Sequence, residues 1–319
     1  MITYEKEISI IIPHYNTPRL LEKLLGSIPD NDEIEVIVVD DRSNEQLEAY
    51  KACIKKFANR NIVFFDNNLS VKGAGVCRNI GMNRAVGKWL LFADADDFFI
   101  EGFYEKLKLY LNSDSDIIYF TPTSIELPTG IEGIRHVEIE EAIKKYICDN
   151  NKKNDLDLRY HYVEPWSKLI KHQLVYDNNI FFDEVMFSTD CMFSIKSAFY
   201  AKKIEASEDV IYCITRMKGT LTTQNCYDNF LVRLDVFVRY YHFLREHLSN
   251  QEFRLLNMHG RGYIWRAITY GYSLQEIVQV YGILRSNKVR LLNKDVFNVY
   301  LMIKRLRKFT YKVKREKSI

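Results

Sequence analysis

The sequence predicts an α/β protein, a mostly parallel open sheet with helices on both faces, followed by a helical C-terminal region. Three observations point there. Short β-branched or apolar runs alternate with stretches of helical period along the N-terminal third, the pattern of successive βαβ units. Each run ends in a polar cluster. From Asn229 onward the apolar positions Phe230, Leu234, Phe237, Tyr241 and Leu244 follow helical spacing alone.

Ile8–Pro13 (ISIIIP) is a β-branched run closed by proline, a buried strand by composition. Thr17 and Pro18 read as an N-cap and a first-turn proline, opening a helix with Leu20, Leu21, Leu24, Leu25 and Ile28 on its apolar face. Glu35–Val39 is a second strand, ending in Asp40, Asp41, Arg42 and Ser43, and a polar helix follows over about 45–58. Asn61–Phe65 is a third strand, ending in Asp66, Asn67 and Asn68. Gly73–Gly87 reads as a helix stopped by Gly87. Gly75 and Gly81 inside it cost stability against alanine, so close packing on the sheet is expected. Lys88–Ala93 is a fourth strand, buried on both faces, and it runs directly into Asp94, Ala95, Asp96 and Asp97.

A helix over about 102–111 and a strand over 116–120 come next. Thr121–Asp157, rich in Glu, Lys and Asp, reads as an excursion with one short helix. Asp183 and Glu184 lead to Ser188, Thr189 and Asp190, then a helix through Ala201, and Asp209–Thr215 is a late strand. Open α/β sheets bind ligands outside the carboxyl ends of their strands. Tyr15, Asn16, Asp40, Asp41, Asp66 and the Asp94 cluster are therefore expected on one rim.

The chain's 319 residues suit one large or two modest domains. No apolar run is long enough to span a bilayer, and the N-terminus shows neither a basic leader nor a cleavage site, so an unexported protein is expected. Six cysteines without a C-x-x-C pair argue against a disulfide framework or zinc knuckle. Net charge is +3, but Lys304–Ile319 holds eight Lys or Arg against one Glu, so the tail carries +7 and the remainder −4. As a helix that tail would present a narrow stripe of Leu306, Phe309 and Val313. It suits docking on an anionic membrane surface, and equally a solvated helix end. The basic residues form no recognisable nucleic-acid module, and no nucleic-acid partner is expected.

Three carboxylates within four residues, Asp94, Asp96 and Asp97, repel one another. A divalent cation with oxygen preference, Mg²⁺ or Mn²⁺, bridging to phosphate oxygens relieves the repulsion. A loop that caps the next helix is the competing reading. G-x-G-x-x-G is absent after the first strand, which speaks against a dinucleotide site. No ligand-spaced histidine pair and no Ser-His-Asp order suggests a nucleophilic triad.

Several motifs, in order, resemble family 2 glycosyltransferases of the bacterial polysaccharide or capsule type: SIIIPHYN, VVDDRS, GAGVCRNIGMNRAVGKWLLFADADD, WSKLIKH, FDE, STDCMF and AKKI. The match spans about Ile8–Thr223. The resemblance implies a GT-A fold, Rossmann-like, over 1–225, and leaves 226–319 as a helical region outside the match. It implies a hexosyltransferase that moves a sugar from a nucleotide-diphosphate sugar, a UDP-sugar first among them, to a glycan or lipid-linked acceptor hydroxyl, with inversion and a divalent cation. The setting implied is cytoplasmic, at the inner membrane face. Asp96 would hold the metal, Asp94 would face the metal or the ribose of the donor nucleotide, and Asp97 is the third carboxylate. Asp41, Pro13, Tyr15 and Asn16 would form the base pocket, and Arg78 would hold base or diphosphate, or else pair with Asp66. Asp40 either joins the pocket or caps the next turn.

Inversion by direct displacement needs one base. Asp190 matches the second member of the family's acidic pair, with Asp183 and Glu184 as alternatives and a helix-start role as the competing reading. Thr189 stands where the family often has Glu. Trp166 offers a face for a sugar ring or belongs to the core. Lys168, Arg216 and Lys218 would contact phosphates or are solvated charges. A nucleotidyltransferase and a non-catalytic sugar- or nucleotide-binding relative are the alternatives.

Overall fold

The computed structural model describes residues 4–216 and 226–291. Its N-terminal half runs β1 (Lys6–His14), α1 (Pro18–Ser27), β2 (Ile34–Asp40), α2 (Leu47–Lys56), β3 (Ile62–Asp66), α3 (Ala74–Met82) and β4 (Gly87–Phe92). β3, β2, β1 and β4 pair in that order, all parallel, which brings their carboxyl ends to one edge. Ile8, Ile10, Ile11 and Ile12 are fully buried, as expected of a strand covered on both faces. Pairing of β1 with β4 stops at Ile11 opposite Phe92, so the N–H that Pro13 lacks is not needed on that side.

Two local expectations are corrected here. Thr17 occupies the N-cap position of α1, but its side chain makes no capping hydrogen bond. Gly87 does not stop α3, which ends at Met82 with Asn83 as its C-cap. It opens β4, where a Cβ would lie 2.4 Å from the Ser9 nitrogen. Only glycine lets the strand start this close to β1.

The second half contains β5 (Phe98–Phe99), α4 (Phe103–Lys108), β6 (Ile117–Glu126), β7 (Ile131–Glu132), α5 (Val137–Cys148), α6 (Lys152–His161), β8 (Lys168–Lys171), α7 (His172–Asp177), α8 (Cys191–Tyr200) and β9 (Ile204–Arg216). The sheet continues from β4 through β8, β6 and β9 to β5. β8 is antiparallel to both neighbours, whereas β6 and β9 run parallel, with register shifts around Thr121. The region expected as an excursion with one short helix holds more order. β6 extends through Glu126, and α5 and α6 both form. Asn151 starts α6 by accepting from the Lys153 and Asn154 amides.

The chain divides into two compact units, 1–236 and 237–319, with the division inside α9 (Tyr227–His247). The second unit also holds α10 (Asn250–Leu256), α11 (Arg261–Thr269) and α12 (Leu274–Ser286) around buried Leu256, Ala267, Val280 and Leu284. Capping boxes of Ser249 with Glu252 and Ser273 with Glu276 start α10 and α12. Among the described residues, no helix is long and apolar enough to cross a membrane. Lys218 and the basic tail lie outside the described residues.

Candidate active site

Strand ends build the first wall. His14, buried at the end of β1, donates from Nδ1 to Asp40 Oδ1 at 2.7 Å while its Nε2 accepts from the Thr17 amide. Asp40 also accepts from the Ser43 amide and hydroxyl. Burial alone would raise the Asp40 carboxyl, but the His14 and Ser43 hydrogen bonds hold it below its usual range. Asp40 is thus the turn-capping residue. Asp41 faces the other way, accepting from Asn67 Nδ2 at 2.7 Å and the Gly73 amide at 2.8 Å. Asn67, one of the two asparagines after β3, is fully buried.

Asn16 takes a left-handed backbone (φ 53°), and its side chain accepts from the Asn44 and Glu45 amides, so it shapes the loop after β2. Tyr15 remains 47% exposed on the rim, with Lys72 Nζ 4.9 Å from its ring centre.

At the end of β4, ligand oxygens of Asp94, Asp96 and Asp97 lie within 4.8 Å of one another. The three differ in duty. Asp97 is buried, with Oδ2 accepting from Tyr212 and Oδ1 from the Thr215 amide, so it ties the acidic loop to β9. Burial, then its two acidic neighbours, raise its carboxyl well above the usual range. Asp94 is partly exposed and accepts from Arg78. Burial and then Asp94 push Asp96 up to about 6. A close carboxylate pair offering only oxygen donors fits a hard divalent cation. Asp94 and Asp96 touch β9 only through their backbones, the Asp94 amide on the Tyr212 hydroxyl and the Asp96 carbonyl on Thr215, which leaves their carboxylates out of that contact.

Arg78, on α3, reaches across the site. It donates from Nη2 to Asp94 Oδ1 at 2.5 Å and from Nη1 to Thr189 Oγ1 at 3.2 Å. Its partner is therefore Asp94; Asp66 is exposed at the end of β3. The next residue, Asn79, exchanges two hydrogen bonds with the Phe182 backbone. A Cβ on Gly75 would sit 2.2 Å from the Asp183 carbonyl oxygen, and one on Gly81 2.6 Å from Ile11. Gly81 thus packs on the sheet as expected, whereas Gly75 admits the 183–189 loop. That loop closes on itself through the Asp183 amide and Thr189 carbonyl.

The loop delivers Asp190, which stands at the N-cap position of α8 without using its side chain as a cap. Burial raises its carboxyl above the usual range; Arg78 and Lys168 pull it back, while Asp94 adds to the rise. Glu184 is exposed, with Oε1 3.4 Å from Asn79 Nδ2. Two further charges share this field and carried no sequence signal. Burial and then Asp190 raise Glu164, and the exposed Arg135 acts electrostatically on both Asp96 and Glu164.

Trp166 and Lys168 both lie in the interior, the first as its core reading has it. Trp166 is only 3% exposed, bridged to Phe92 and stacked 5.7 Å from Tyr212, so it buttresses the acidic loop's anchor and presents no open platform. Lys168 is 2% exposed and is not a solvated charge. Its Nζ donates to the Tyr162 carbonyl at 2.5 Å and lies 3.9 Å from the Tyr162 ring centre. Burial lowers it to about 7 against the pull of Glu164 and Asp190. Arg216 ends β9 with Nη1 3.9 Å from Glu126.

A parallel β3-β2-β1-β4 edge with a carboxylate cluster behind β4 is the arrangement of a GT-A glycosyltransferase. The sequence model of Glycosyl transferase family 2 matches residues 9–182, more than half of the chain, and the chain belongs to that family. Poly(ribitol-phosphate) beta-N-acetylglucosaminyltransferase TarS of Staphylococcus aureus is 26% identical over 219 residues, 66% of this chain and 36% of that protein. Poly(ribitol-phosphate) beta-glucosyltransferase of Bacillus spizizenii is 30% identical over 216 residues, 65% of this chain and 32% of that one. The chain thus spans about a third of the length of these curated relatives.

Among solved structures, S. aureus TarS 1–349 in complex with UDP-GlcNAc aligns with a TM-score of 0.66 and 21% identity, covering 88% of this chain and 80% of that one. A mannosyltransferase of Pyrobaculum calidifontis in complex with GDP-Man and Mn²⁺ aligns with a TM-score of 0.57 and 13% identity, covering 89% and 76%. At these identities they show the shared fold.

Proposed function

We propose that this chain is an inverting, divalent-metal-dependent glycosyltransferase that moves a sugar from a nucleotide-diphosphate sugar to an acceptor hydroxyl during synthesis of a bacterial surface polysaccharide. One observation carries the reading. Arg78 spans from Asp94 in the acidic cluster to Thr189, the residue before Asp190, so one side chain links the two halves of a displacement site.

In this reading Asp94 and Asp96 hold Mg²⁺ or Mn²⁺, which when bound neutralises the charge growing on the diphosphate leaving group. Asp41, with Asn67 behind it, faces the base, and Tyr15 offers its exposed ring for stacking. Pro13 and Asn16 set the backbone around that pocket. Asp190 takes the acceptor's hydroxyl proton as its oxygen bonds to the anomeric carbon and the carbon–oxygen bond to the diphosphate breaks. A carboxyl raised by burial is suited to receive that proton. Arg135 and Glu164, which share a field with Asp96 and Asp190, are the acceptor-side candidates in this reading.

UDP-GlcNAc in the TarS structure makes uridine nucleotides the first donors to test. The assay follows nucleoside-diphosphate release from a panel of nucleotide sugars with Mn²⁺, with and without chelator. Release from one donor that falls by about 10²–10³ in Asp96→Ala is expected. Release undiminished in Asp96→Ala and undiminished by chelator would remove the metal from the reading.

A further inference from the structure

We propose that the α11–α12 face of the C-terminal unit docks on an anionic lipid bilayer. α12 buries Val280 and Leu284 in the unit's core, yet a second stripe, Leu274, Val278 and Tyr281, recurs at i, i+4 and i+7 on its open side. Leu274 is 77% exposed and Val278 59%. Trp265 and Ile268, one turn apart on α11, are about half exposed as well. Large aliphatic side chains at such exposure, grouped on two consecutive helices, form a patch that water solvates poorly.

The stripe runs into a cationic groove. Arg285 follows Tyr281 by one helical turn, and both line a groove of about 760 Å³ together with Arg261, Lys288 and Arg290. None of its lining residues is acidic. The basic segment is held in place by its backbone: Val289 N–H donates to the Leu284 carbonyl at 2.9 Å, Arg290 N–H to the Tyr241 hydroxyl at 3.0 Å, and Gly260 N–H to the Arg290 carbonyl at 2.8 Å. The cations are therefore presented without a cost for ordering the loop.

A soluble polyanion would satisfy the cations and leave Leu274 and Val278 in water. A bilayer with phosphate headgroups satisfies both, with aliphatic side chains among the acyl chains, Tyr281 and Trp265 at headgroup level, and Arg285 and Lys288 on the phosphates. This inference is independent of the donor chemistry, because every residue in it belongs to the second unit.

The test is flotation of the full chain with vesicles of phosphatidylcholine alone or mixed with phosphatidylglycerol. Variants are Leu274→Ser with Val278→Ser, and Arg285→Gln with Lys288→Gln, each checked for an unchanged melting curve. The full chain is expected to float only with the anionic vesicles. The charge variant should lose about fivefold in partitioning for each cation removed, and the aliphatic variant should lose a comparable amount. No flotation, or undiminished flotation of both variants, would overturn the proposal. So would loss in the charge variant alone together with equal competition by soluble polyphosphate, which would assign the groove to a dissolved polyanion.

Discussion

The two walls of the candidate site are built from the same residue type used in opposite ways. On the proposed donor side, three carboxylates that follow parallel strands spend oxygens on backbone. Asp40 holds the Ser43 amide, Asp41 the Gly73 amide, and Asp97 the Thr215 amide. On the other side, Asp190 stands at a helix start and caps nothing, while burial raises its proton affinity. A carboxylate that holds chain is fixed as a scaffold. One that is partly buried without that duty is poised to take up a proton. α3 joins the two walls, with Arg78, Asn79 and Gly75 all touching the loop that carries Asp190.

That joint is where the comparison breaks most readily. Gly75→Ala drives a Cβ into the Asp183 carbonyl and must displace the loop, with an expected loss of about 1–3 kcal/mol in stability. Gly26→Ala in α1, where nothing lies within 4 Å, should instead stabilise by about 0.5–1 kcal/mol. Thermal melts of the pair test whether glycine is needed at the joint or merely tolerated in a helix. A similar drop in both would refute the close-approach account.

Thr189→Val keeps the volume and removes the acceptor of the Arg78 Nη1 bond. A loss of about 1–3 kcal/mol in stability is expected, with turnover falling more than nucleotide affinity. Unchanged turnover would mean that Arg78 needs no second anchor.

The smallest effect concerns Lys168. Its folded value of about 7 lies far below the ordinary lysine range, so between about pH 7 and 10 the unfolded chain binds more protons than the folded one. Stability contributed by this group is therefore gained as pH rises through that window and lost as pH falls. Lys168→Met should flatten that slope in denaturation measured across the window. Because the Lys168 charge favours ionised Asp190, the same substitution should move the acid limb of the kcat/KM profile to higher pH.

The donor wall was legible in the sequence because strands buried on both faces leave uninterrupted runs such as ISIII and EVIVV, each followed by its polar cluster. The other half was less so. β6 passes through Thr121–Glu126 with a proline and register shifts, and α6 is capped and charged along most of its length. Neither leaves a period to read. The importance of Arg78 and Asp190 came from resemblance, but their connection did not, since Arg78 and Thr189 are separated by 111 residues. A lone tryptophan leaves platform and core both open, and a lysine near a loop gives no sign of burial; here aromatic rings enclose both. Glu164 and Arg135 gain meaning only from the field they share with Asp190 and Asp96.

The division of labour between the walls is tested most directly by Asp190→Asn, with single-turnover transfer and nucleoside-diphosphate affinity measured on the same preparation in Mn²⁺. Transfer should fall by about 10²–10⁴ while nucleotide affinity stays close to that of the unaltered chain. Undiminished transfer would contradict the assignment of the base. Nucleotide affinity lost in step with transfer would contradict the separation of the two walls.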